Sequence, residues 1–111
     1  MSASDIARSI GLFVVAGVFE IGGGYLLWQY WRHGAPRTMG VLGAIALVLY
    51  GIVPTYQPSG FGRVYAAYGG IFVVFSFLWA RVFDGVRPDI PDIIGAAICL
   101  VGVGVIMYWP R

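Results

Sequence analysis

The chain has 111 residues, of which 59% are hydrophobic and only 11% charged, with a formal net charge of +2. Soluble domains of this size carry about a quarter charged residues, so an ordinary water-soluble fold is excluded and lipid is the expected solvent. Arginine is the only strong base and no lysine is present, which leaves no basic stripe to neutralise a row of phosphates and excludes nucleic acid as a partner.

Charges punctuate the chain, because an ion in hydrocarbon is costly and the uncharged runs between ions mark the spans. The runs predict an all-α integral membrane fold, one domain with four transmembrane helices over about residues 9–31, 38–56, 64–82 and 92–109. Helices are required, since a lone strand would leave its backbone amides unpaired in lipid.

The first run, Ser9 to Trp31, is interrupted only by Glu20. It is too long for a signal peptide, no small-x-small cleavage site follows it, and further spans come after it. His33, Gly34, Ala35, Pro36 and Arg37 then predict a tight turn into the second run, from Thr38 to about Tyr56. Pro54 to Gly62, PTYQPSGFG, is too rich in proline and glycine to continue a helix and reads as a hairpin connection. The third run, Val64 to Ala80, lies between Arg63 and Arg81. Asp89, Ile90, Pro91 and Asp92 place acids and a proline where a helix N-terminus favours them, so Asp89 reads as the cap of the fourth run, Ile93 to Trp109.

Glu20 lies about eleven residues from either end of the first run, close to the bilayer midplane at about 1.5 Å per residue. A carboxyl group there is neutral, paired, or facing a watery cavity. No basic residue lies within two helical turns of it on its own helix, so a buried salt bridge is not expected. Its helical neighbours Ala16, Gly17, Gly23 and Gly24 are all small, which leaves room for close approach of another helix or for a cavity that a ligand can reach. A carboxyl in such a site binds a proton or an organic cation but not both, and that exclusion is itself a coupling mechanism.

Trp28, Tyr30, Trp31, Trp79, Tyr108 and Trp109 fall near span ends and read as interfacial anchors. Tyr65 and Tyr68 begin a face of the third helix that Phe72 and Ser76 continue; it could line a cation site or be ordinary packing, and Tyr50 of the second helix is a weaker candidate of the same kind. Gly95, Cys99 and Gly102 form a small-residue seam on the fourth helix, assigned to a dimer contact. Gly69 and Gly70 suit a bend or packing equally. With four spans, Arg8, Arg63 and Arg111 share one side and Arg32, Arg37, Arg81 and Arg87 the other. This near tie leaves either one orientation set by other factors or insertion both ways round, which permits an antiparallel homodimer.

The stretches FEIGGGYLLWQYWR from Phe19, YGIVPTYQP from Tyr50, FGRVYAAYGG from Phe61 and GAAICLVGVGVIMYWPR from Gly95 resemble the YnfA family over nearly the whole chain. That family is similar to the small multidrug resistance transporters, four-helix proteins of the bacterial inner membrane that work as antiparallel dimers and exchange protons for organic cations. On that resemblance Ala16, Glu20 and Gly23 match the first-helix A-x-x-x-E-x-x-G pattern. Tyr65 matches the substrate-site tyrosine, Tyr68 falls where those exporters often have tryptophan, and Gly102 with Val103 matches the dimer motif. Arg63 just before Tyr65 would repel cations unless it points to lipid headgroups or pairs with an acid of a partner chain.

The expected function is proton-coupled efflux of a small or drug-like organic cation through a homodimer of eight helices, with Glu20 as the shared proton and cation site. A non-transporting structural or accessory membrane subunit, with Glu20 as a protonated packing residue, is the alternative, and a narrow channel is a third. An enzyme is not expected. No nucleophile with its base, metal cluster or phosphate loop is recognisable, His33 stands alone in a loop, and no cofactor is implied.

Overall fold

In a computed structural model, which describes residues 2–111, the long apolar runs form helices α1 (Ala3–His33), α2 (Arg37–Ile52), α3 (Phe61–Phe83) and α4 (Ile90–Tyr108). A short 3₁₀ turn, Val53–Tyr56, extends α2, and together Arg37–Tyr56 make a segment of 20 residues. All four segments are long and apolar enough to cross a membrane, and no strand occurs among the described residues. Large aliphatic side chains such as Val18, Leu42, Val48, Ile98 and Val101 stand more than half exposed, as lipid-facing positions do.

The breaks between helices have local causes. After α1, Gly34 adopts φ +67°, a conformation that a side chain disfavours, and the Ala35 N–H donates back to the Gln29 carbonyl at 3.1 Å. The end of α3 repeats this device: Gly85 has φ +68°, and the Val86 N–H reaches the Ala80 carbonyl at 3.1 Å. The connection after α2 is shorter than the proline and glycine content suggests. Gly60 is extended and accepts from the Val64 N–H at 3.1 Å, so Phe61, Gly62 and Arg63 already belong to the first turn of α3.

Asp89 caps α4 as expected. Its Oδ1 accepts from the Asp92 N–H at 2.8 Å, while the Asp92 Oδ2 accepts from the Asp89 N–H at 3.0 Å, a reciprocal capping box with Pro91 in the first turn. Asp89→Ala is expected to cost about 1 kcal/mol of stability, read as a lower unfolding midpoint in detergent; an unchanged midpoint would deny the cap any energetic role.

The chain divides into two compact units. In one, Ile10–Gln57, helices α1 and α2 form a hairpin in which glycine packs on glycine. A β-carbon at Gly23 would lie 2.8 Å from the Gly43 carbonyl oxygen, and one at Gly43 would lie 2.7 Å from the Gly23 carbonyl oxygen. Nearer the turn, the Tyr30 ring covers Gly40, leaving 2.9 Å for a β-carbon there. Backbones approach this closely in lipid because packing, rather than hydrophobicity, must hold helices together there.

The other unit joins Pro58–Arg111 to the start of α1, up to Ser9. Helices α3 and α4 pack together, with Gly70 against the Cys99 carbonyl and the Val103 side chain, so Gly70 serves packing. Val64, Ala67 and Tyr68 on α3 and Val103 and Met107 on α4 are buried at helical spacing. The Ser9 hydroxyl, 1% exposed, is 3.0 Å from the Tyr108 hydroxyl, which ties the start of α1 to the end of α4. Of the residues expected as interfacial anchors, Tyr30 and Tyr108 also have intramolecular partners in Gly40 and Ser9, and Trp28, Trp31 and Trp109 stand well exposed.

Candidate functional site

Glu20 stands in the middle turns of α1, far from both helix ends. Its Oε2 is buried and has no hydrogen-bond partner among the described residues. A carboxyl oxygen removed from water and left unbonded forfeits its hydration without compensation, an arrangement retained where a proton or a guest supplies the missing interaction. Arg8 and Arg32, the nearest bases along α1, are equally distant from it near opposite helix ends, and the Arg32 guanidinium sits 5.0 Å over the Trp28 ring.

The small residues flanking Glu20 differ in use. Ala16 is 1% exposed and Gly17 is buried. Gly23 is occupied by its contact with Gly43, whereas Gly24 is exposed and a β-carbon there would meet nothing within 4 Å. Tyr50, half-buried, belongs to the same unit as Glu20.

Tyr65, Tyr68 and Ser76 belong to the unit of α3 and α4. Tyr65 is half-buried and stacks on Phe61, one turn earlier, with centroids 4.3 Å apart. Tyr68 is buried and meets Phe72 edge-on at 6.4 Å. Ser76 donates its hydroxyl hydrogen to the Phe72 carbonyl at 2.8 Å, which satisfies it within its own helix. On α4, the Cys99 carbonyl faces Gly70, while β-carbons at Gly95 and Gly102 would find open space.

Two features escaped sequence reasoning. Gly40 and Gly43 carry the packing of α2, and their only sequence signal is a pair of small residues three apart. The second is a cleft lined by Arg63 and Arg111, residues distant in sequence. Among the described residues, no group of three His, Cys, Asp or Glu side chains could hold a metal ion.

Four apolar helices and one acid deep within the first define a small multi-pass membrane protein. The match of a family model over residues 6–111, described as "Uncharacterised BCR, YnfA/UPF0060 family", makes the chain a member of that family. It is 58% identical to a UPF0060 membrane protein of Clostridium beijerinckii, over 96% of this chain and 98% of the relative. A UPF0060 membrane protein of Herpetosiphon aurantiacus is 52% identical over 96% of this chain and 99% of its own length. One from Mycobacterium marinum is 58% identical over 96% and 97%. No solved structure matches significantly.

Proposed function

We propose that the protein is a proton-coupled transporter of small organic cations, resident in the bacterial inner membrane and working as a homodimer in which Glu20 of each chain is the shared proton and cation site. The observation that carries this reading is the buried, unbonded Oε2 of Glu20 midway along an apolar helix. Protonated, the group is neutral and tolerable in a dry site; deprotonated, it needs a cation. Competition between the two guests, with access alternating between the two sides, couples their movements without any further device.

A second chain enters because four helices are too few to enclose a pathway. Two chains would bring two Glu20 carboxyl groups to one shared pathway. Gly95 and Gly102, open on α4, are the proposed contact between copies. Tyr65 and Tyr68 are the proposed aromatic lining, with Tyr50 and Ser76 as lesser contributors.

Reconstitution in liposomes tests the reading. With guanidinium and ethidium as probes and a pH-sensitive dye in the lumen, an outward proton flux is expected on inward cation movement, saturating with cation concentration. Unsaturable conductance would identify a channel. Absence of any flux, with folded protein in the bilayer, would support the accessory-subunit reading.

A further inference from the structure

Within the unit of α3 and α4, a cleft of about 540 Å³ opens where α3 begins and α4 ends, a size typical of small-ligand sites (about 300–1,000 Å³). Arg63 and Arg111 both line it, together with Ser59, Tyr108 and Trp109, and no aspartate or glutamate side chain does. We propose that this cleft binds a phosphate group, supplied either by the headgroup of an anionic phospholipid or by free phosphate. The proposal does not depend on cation transport by Glu20.

Three observations carry it. First, Arg63 sits in the first turn of α3, at the positive end of the helix dipole, where a cation is disfavoured and where no acidic residue offsets it. It has no hydrogen-bond or ion-pair partner among the described residues. Second, Arg111 uses one N–H to cap α4, donating from Nη1 to the Ile106 carbonyl at 2.9 Å, which leaves most of its five donors for another acceptor. Two guanidinium groups facing one cleft without an acidic side chain among its lining repel each other, and an anion seated between them turns that repulsion into attraction. Phosphate suits the planar fork of each arginine, which offers paired parallel donors.

Third, the cleft lies at the ends of two apolar helices, and the Ser59 hydroxyl can add a neutral donor to a phosphate oxygen. Trp109, 60% exposed, lines it at the end of α4, where aromatic side chains meet lipid headgroups. That depth favours a phospholipid as the source.

Native mass spectrometry of the full chain from neutral detergent tests the site, with short-chain phosphatidylglycerol, inorganic phosphate and short-chain phosphatidylcholine as separate probes. Retention of phosphatidylglycerol in preference to phosphatidylcholine is expected, weakened at least about tenfold in Arg63→Gln and in Arg111→Gln. Arg87→Gln, in the connection between α3 and α4, is expected to bind as the parent does. Arg63→Lys keeps the charge and should retain part of the binding, with circular dichroism confirming that every variant keeps its helices. Saturable binding of inorganic phosphate with the same arginine dependence would assign free phosphate as the source. Equal retention of both lipids and no phosphate binding, or binding indifferent to both arginines, would overturn the proposal.

Discussion

Glu20→Gln is expected to abolish proton-coupled cation movement, by more than about 100-fold, while the helices remain folded. The carboxylate and an organic cation about 4 Å apart attract by about 4 kcal/mol at an effective dielectric of 20, nearly a thousandfold in affinity. An amide keeps the shape of the acid but neither charges nor exchanges a proton, so both halves of the cycle are lost together. Folding should survive, because the Oε2 that the substitution replaces makes no hydrogen bond among the described residues. A neutral amide is also easier to place in an apolar span than a carboxylate. The measurement is cation-driven lumenal pH change in proteoliposomes, with helical content followed by circular dichroism. Full coupled activity in the variant would falsify the role of Glu20, and unchanged cellular function without any transport would favour a packing role.

The second large effect concerns the hairpin of α1 and α2. Gly43→Ala adds one carbon atom, and that atom would stand 2.7 Å from the Gly23 carbonyl oxygen, 3.0 Å from the Leu26 Cβ and 3.1 Å from the Leu27 backbone nitrogen. Two of these three neighbours are backbone, so no side-chain rotation relieves the overlap and the helices must separate. Overpacking of this kind costs about 1–3 kcal/mol, against about 1 kcal/mol gained from the better helix propensity of alanine. Gly11→Ala is the matched control in α1, where a β-carbon meets nothing within 4 Å. Its propensity gain should therefore appear uncompensated. In thermal unfolding in detergent the two variants are expected to move in opposite directions; a shift of the same sign and size in both would deny the close approach.

Much of the fold is legible before any coordinates because membrane insertion is governed by local quantities. An arginine or aspartate is costly in hydrocarbon wherever it falls, so the positions of Arg32, Arg37, Arg63 and Arg81 delimit the spans without knowledge of their neighbours. The Asp89 cap is equally local, since both hydrogen bonds of the box close within three residues. Gly34 and Gly85 end helices through their own backbone angles. Glu20 stands out by the same reasoning, as the one acid far inside a run otherwise free of charge.

What each small or aromatic residue touches is a different kind of question. Among 17 glycines, composition and spacing make Gly23, Gly24, Gly43 and Gly70 look alike. Only the packing of α1 on α2 shows that Gly23 and Gly43 are pressed together while Gly24 is open, and only that of α3 on α4 places Gly70 against Cys99 and Val103. Tyr30 and Tyr108 carry the sequence marks of interfacial anchors, and nothing in those marks shows that one also covers Gly40 and the other meets Ser9. The cleft of Arg63 and Arg111 likewise exists only because the start of α3 lies beside the end of α4. Solvation acts on one residue at a time and can be read along the chain, whereas contact depends on which faces meet, and the tertiary structure alone decides that.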